Sequence, residues 1–206
     1  MKEIVFLKPE QLKTLVASLP DPCRTVVLIL VLTGLRIGEL LALRTKNVDL
    51  VSGKIRVREA IYDGRFGTPK TRTSRREIPM SESIRQILAP LVLPAEEELV
   101  FRGKTGSPLD QKNLAHRILR PKCRELGLPI VGWHSFRHTH ATLLTEVSES
   151  IKTTQAILGH SDLNTTLNIY SHPIPESQRR AIERVAEIVD PNGLTSGNSI
   201  ESQRIN

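Results

Sequence analysis

Four short stretches of this chain carry side chains whose types could do chemistry together. In Thr33-Gly34-Leu35-Arg36-Ile37-Gly38-Glu39-Leu40, Arg36 stands at a break between two apolar helical patterns. A guanidinium in apolar surroundings is costly unless paired, so Arg36 either pairs with a carboxylate such as Glu39 or points into a site. A second stretch, from Arg65 to Arg76, sets Arg65, Lys70, Arg72, Arg75 and Arg76 on a predicted hairpin, a patch able to neutralise phosphate. In the third, His134-Ser135-Phe136-Arg137-His138-Thr139-His140, the spacing puts His134 and Arg137 on one helix face. The fourth runs from Leu158 to His172 and reads as a helix end, a turn at Gly159, and a short second helix that Pro173 and Pro175 stop. It places His160 in the turn and Tyr170 near the end of the second helix. Blander readings exist for each: a structural Arg36–Glu39 pair, a solvated basic face, a surface tyrosine.

Two other chemistries are disfavoured. His134 and His138 have the spacing of helical zinc pairs, but no acidic residue follows His134, and Arg137 would repel a cation. Gly103-Lys104-Thr105 looks like the end of a phosphate-binding loop, yet the required earlier glycine would fall where Glu98 stands.

The elements that must position these stretches follow from periodicity. Pro9 to Leu19 is an amphipathic helix with proline in its first turn. Asp21-Pro22 opens a second helix through Val31, apolar nearly all round and therefore part of the core. A third runs from Arg36 through Leu43. Beyond Asn47 the period becomes two: Lys54 to Arg58 alternates as a half-exposed strand, and Arg75 to Pro79 is a second short one. With turns at Gly64 and Gly67, residues 48–80 read as a small antiparallel sheet between helices. Helices resume at Glu82–Leu88, and Leu99-Val100-Phe101 is a buried extended piece. Asp110 caps a helix through Leu119, which Pro121 kinks or restarts towards Leu126. His134–Val147, Ile151–Leu158, Thr165–Tyr170 and Glu176–Val189 are helical, and the Ser-, Asn- and Gly-rich tail reads as disordered. The fold class is mainly α with a small antiparallel β-sheet (α+β), with one domain over residues 1–190 and a tail over 191–206.

The 206 residues carry a formal net charge of +7, which favours a polyanionic partner. Aromatic residues make up only 3%, so the core must be aliphatic. No apolar run approaches a membrane span, and the N-terminus mixes charges unlike a signal peptide. Cys23 and Cys123, far apart and without metal-ligand spacing, fit a reduced cytosolic protein.

Taken together and in this order, the four stretches resemble the tyrosine recombinases, also called the phage integrase family. The resemblance extends from about Leu7 to Val189. It implies that Tyr170 is a nucleophile that forms a 3′-phosphotyrosyl link to DNA. Arg36, Arg137 and His160 would neutralise the phosphate, His134 would be the base, and Lys70 would protonate the departing 5′ oxygen. Glu39 would orient an arginine or histidine, and Arg65, Arg72, Arg75 and Arg76 would contact DNA. Such chemistry needs no metal, ATP or other cofactor, because the phosphotyrosyl link conserves the energy of the broken bond. The implied partners are double-stranded DNA and further recombinase subunits, tetrameric on DNA and monomeric in solution, in a bacterial or phage-encoded cytoplasmic, nucleoid-associated setting. A type IB topoisomerase-like nicking-closing enzyme and an inactive DNA-binding remnant are the alternatives. Family members usually carry a helical domain before the catalytic one, and the resemblance begins almost at Met1. The expectation is weak, salt-sensitive DNA binding, slow cleavage and little complete strand exchange.

Overall fold

Because aromatic side chains are scarce, the interior is packed from Leu, Ile and Val, and the elements that carry these residues run through its centre. The computed structural model describes residues 5–68, 75–146 and 151–159. All fall within Met1–Tyr170, the first of two units into which the chain divides. The expected helices at Thr165–Tyr170 and Glu176–Val189, the tail and the domain boundary near residue 190 lie outside the described residues.

Helix α1 (Pro9–Ser18) starts on a proline and buries Leu15. Helix α2 (Cys23–Thr33) buries Val26, Val27, Ile29, Leu30 and Val31, so apolar contact surrounds most of its circumference. Each such side chain taken fully out of water contributes about 1.5–3 kcal/mol. Helix α2 packs on α7 (Trp133–Glu146), whose Phe136 is fully buried. Between them in sequence come the short α3 (Ile37–Leu41), α4 (Glu82–Leu88, capped by the Ser81 hydroxyl) and a continuous helical run from Gln111 to Glu125. The Asp110 carboxylate accepts from the Lys112 and Asn113 amides at 2.8 and 3.1 Å, as its cap position predicts. That run is α5 (Gln111–Leu114), a π-turn over Ala115–Leu119, and α6 (Arg120–Glu125). Pro121 cannot donate to the Arg117 carbonyl, and the widened turn immediately before it accommodates the missing bond. Helix α8 (Ile151–Leu158) closes the described part.

The inserted segment is antiparallel, as expected, but is two sheets. Strands β1 (Val48–Asp49), β2 (Lys54–Val57) and β5 (Arg76–Pro79) form a sheet in the order β1-β2-β5, with Ile55 opposite Ile78 and Val57 opposite Arg76. Period two puts Ile55, Val57, Ile78 and Arg76 inward and leaves Lys54, Glu77 and Pro79 exposed. Strands β3 (Ala60–Tyr62) and β4 (Arg65–Gly67) form a separate hairpin. Its two-residue turn is Asp63-Gly64, both with positive φ (45° and 78°), the pairing that matches strand twist. Gly67 belongs to β4 and is no turn. The hairpin seats on α3 at Gly38, where an added Cβ would lie 2.4 Å from the Ile61 carbonyl oxygen. Leu99, Val100 and Phe101 are buried; Leu99 bridges to Arg44, the chain then bends, and the Val100 amide donates to the Leu43 carbonyl at 2.9 Å.

Gly34 ends α2 in the left-handed region, at φ 64°. A Cβ there would lie 2.6 Å from His140 Cδ2 and 2.8 Å from Leu158 Cδ2. Gly34→Ala therefore combines backbone strain with a clash and should cost roughly 2 kcal/mol or more, read as a lower thermal midpoint. An unchanged midpoint would show that this turn is not held where α2, α7 and α8 meet.

Candidate active site

The site is built outward from the end of α2. After the Gly34 turn, Arg36 is extended (φ −74°, ψ 148°) and caps α3. Three residues on, the Glu39 carboxylate folds back: Oε2 accepts from the Arg36 amide at 2.9 Å, and Oε1 from Arg36 Nη1 at 2.9 Å. This fixes the guanidinium by the same side chain that caps the helix. The two readings of Arg36, structural pair and site residue, thus hold together: its side chain is paired yet 34% exposed.

Arg137 comes from α7 and is 2% exposed. Nη1 donates to the Gly34 carbonyl and Nη2 to the Leu158 carbonyl, each at 2.6 Å, so Arg137 ties the end of α2 to the end of α8. Each Nη keeps a second hydrogen, and Nε has no partner among the described residues. His134, one turn earlier on α7, stands with its ring 4.5 Å from that of His138, edge to face. Arg36, Glu39, His134 and Arg137 line one cleft of about 310 Å³, together with Tyr62, Gln111 and Trp133. Trp133 is locked by its indole N–H donating to the Gln111 carbonyl at 3.0 Å.

Burial and neighbouring positive charge set the electrostatics of the cleft. Burial first, and then the Arg36 and Arg76 charges, push the Arg137 pKa down to about 9, which still leaves it charged at neutral pH. His134 is exposed on one side, but the packed side of its ring is desolvated, and His138, Arg137 and Arg36 add like charge; its pKa falls to about 4, so it is neutral at pH 7. Burial works to raise the Glu39 pKa, but Arg76 and then Arg36 outweigh it and hold the carboxyl below its ordinary range.

Of the basic patch expected to meet DNA, Arg65 and Arg75 are exposed. Arg76 is not: its side chain is 7% exposed and bonded to Glu39 and to the Ile157 carbonyl. The sequence reading missed that inward register, which the alternation with Ile78 carries. It also missed the carbonyls of Gly34 and Leu158, which no side-chain pattern announces, and the lining role of Trp133, whose position beside His134 was the available signal. Lys70, Arg72, His160 and Tyr170 lie outside the described residues.

The sequence model of the phage integrase family matches residues 5–176. The chain belongs to this family. It is 29% identical over 205 residues to the ICEBs1 integrase of Bacillus subtilis (strain 168), covering 91% of this chain and 56% of that one. The Tn1549 transposon integrase, solved in complex with transposon right end DNA, superposes with a TM-score of 0.76 at 27% identity, over 90% of this chain and 67% of that chain. The catalytic domain of bacteriophage HP1 integrase shares the fold, with a TM-score of 0.57 at 22% identity over 95% and 99% of the two chains. The mainly α fold with small antiparallel sheets is thus that of tyrosine recombinase catalytic domains. This phage integrase family chain spans about half the length of the curated relatives it matches. Among the described residues no helix is long and apolar enough to cross a membrane.

The charge arrangement has a consequence for stability. The folded pKa of His134 lies below its ordinary value of 6.5, and those of His138 and His140 are also lowered, burial being the largest cause in each. The fold therefore favours the neutral rings, and this contribution is full above pH 6.5 and lost as pH falls towards 4. The thermal midpoint should fall between pH 7 and pH 5, and His134→Gln should flatten part of that slope. Identical slopes in the two proteins would mean that the fold does not hold the His134 ring neutral.

Proposed function

We propose that this chain is the catalytic part of a site-specific DNA recombinase that cuts and rejoins duplex DNA through a 3′-phosphotyrosyl intermediate. The observation that carries the reading is the convergence of Arg36 and Arg137 on one cleft, each fixed by bonds that leave further N–H groups for an anion. Two guanidiniums can fork onto the non-bridging oxygens of a phosphodiester and stabilise the charge that grows in the transition state. Phosphoryl transfer depends mostly on such positioning and electrostatics, so this donor set could serve without a metal ion.

In the proposed reaction the Tyr170 oxygen attacks phosphorus and the bond to the 5′ oxygen breaks. Lys70 gives a proton to that oxygen, which otherwise leaves as a poor alkoxide. A 5′ hydroxyl of a partner strand then attacks the phosphotyrosyl link and releases Tyr170, so no ATP is consumed. His160 would join the arginines at the phosphate. His134 would take the tyrosine proton: with a pKa of about 4 it is a weak base. A phosphate anion seated between Arg36 and Arg137 would offset the part of that depression due to like charge, though not the part due to burial, and so raise its basicity. Complete exchange would need four copies assembled on DNA, with Arg65, Arg72 and Arg75 on the backbone. Folding and action in the cytoplasm, at the nucleoid, would follow.

Incubation with a nicked suicide substrate should give a protein–DNA adduct stable to denaturant. Tyr170→Phe should abolish it while leaving DNA affinity nearly unchanged; an adduct mapped to Tyr62 would sink the assignment. Relaxation of supercoiled DNA without site preference would instead mark a topoisomerase, and no adduct at all an inactive remnant.

Lys70→Ala should slow cleavage by roughly a hundredfold or more. A substrate with sulfur at the 5′ bridging position needs no protonation on leaving and should largely restore the rate. Failure of that rescue would reassign Lys70 to phosphate contact.

A further inference from the structure

Arg76 was expected on the DNA-facing patch and is instead the most enclosed cation near the cleft after Arg137. Among the described residues its guanidinium bonds Glu39 and the Ile157 carbonyl. Nη1 and Nη2 donate to Oε1 and Oε2 of Glu39 at 3.2 and 3.0 Å, a bidentate fork, and Nε donates to the Ile157 carbonyl at 2.8 Å. Glu39 is therefore gripped from both sides, by Arg36 at the cleft and by Arg76 behind it. Each carboxylate oxygen accepts twice: Oε1 from both guanidiniums, Oε2 from Arg76 and the Arg36 amide.

The charge count matters more than the bond count. Arg36, Glu39 and Arg76 are two guanidiniums against one carboxylate, which leaves one net positive charge. Without Arg76, the buried Glu39 would be neutralised by Arg36 alone, and that pair would present no net charge to a ligand. The same guanidinium holds α8 at Ile157, next to the Leu158 carbonyl that Arg137 uses.

We propose that Arg76 is a positioning residue of the phosphate site: it occupies Glu39 from behind, so that the charge of Arg36 stays available to a phosphate, and it anchors the end of α8 against Arg137. Arg76 touches no substrate. This deepens the proposed function and rests on its reading that the cleft seats a phosphodiester.

The test reads binding without cleavage. Inorganic phosphate is titrated into the intact chain and followed through the ring signals of His134 by NMR. The wild-type chain should show a saturable shift, and Arg76→Gln should bind phosphate roughly tenfold or more weakly, because one charge of the site is lost in a low-dielectric setting. Arg76→Gln combined with Glu39→Gln restores the count to one positive charge and should bind within about threefold of wild type. A residue that merely held the fold would gain nothing from the second substitution. Arg76→Lys, which keeps the charge but cannot grip Glu39 and Ile157 together, should keep its phosphate affinity within about threefold while its thermal midpoint drops; this variant decides the matter if Arg76→Gln does not fold. Equal affinity of wild type and Arg76→Gln, a double variant as weak as the single one, or a tenfold loss in Arg76→Lys would each overturn the proposal. No saturable shift in wild type would bring down the phosphate reading itself. Adduct formation on DNA remains a separate readout for the function.

Discussion

The Glu39 carboxylate is the interaction on which the rest of the site depends. Its side chain is 1% exposed, so its charge has been taken out of water and must be compensated inside the protein. Four hydrogen bonds do so, from the Arg36 amide, the Arg36 guanidinium and two nitrogens of Arg76. Removing one partner of such a buried pair typically costs about 3–5 kcal/mol, because the other charge is stranded. Through these bonds one carboxylate fixes the start of α3, the first residue of β5 and, by way of Arg76, the end of α8. The starts of α3 and β5 and the end of α8 are held together by this group, and α7 is tied to them through Arg137.

Around it the charges do not balance. Three guanidiniums, from Arg36, Arg76 and Arg137, lie about the Glu39 carboxylate, and the pKa values of Arg137 and His134, lowered first by burial, are lowered further by neighbouring positive charge. Backbone carbonyls of Gly34 and Leu158 hold Arg137 in place without cancelling its charge. Donors fixed in advance need little reorganisation when an anion arrives, and that is the arrangement electrostatic catalysis requires. Gly34 contributes twice, by a backbone conformation that lets α2 stop and by the carbonyl it offers to Arg137.

Much of this was legible in the residues. Helix positions followed from the 3.6 period, and the Asp110 cap and the Gly34 break from turn and cap chemistry. The pairing of His134 and Arg137 on one face followed from spacing alone. Arg76 was misread because composition, a run of basic residues, was weighed above register; alternation with Ile78 already turned it inward. The β3–β4 hairpin was announced by Asp63-Gly64 and blurred by the second glycine nearby. What sequence could not give is the use of backbone carbonyls, since every residue carries one and only the fold chooses which are presented. The convergence of Arg36 with Arg137 likewise needed the packing of α2 on α7, a contact distant in sequence.

The most direct measurement of the central claim is a crystal structure of the Tyr170→Phe chain bound to uncut duplex DNA. The account requires one phosphodiester seated in the cleft, its non-bridging oxygens within hydrogen-bond distance of both Arg36 and Arg137, with Arg76 still bonded to Glu39. A duplex bound with its phosphates on other faces, and both arginines still in contact with protein groups alone, would contradict it.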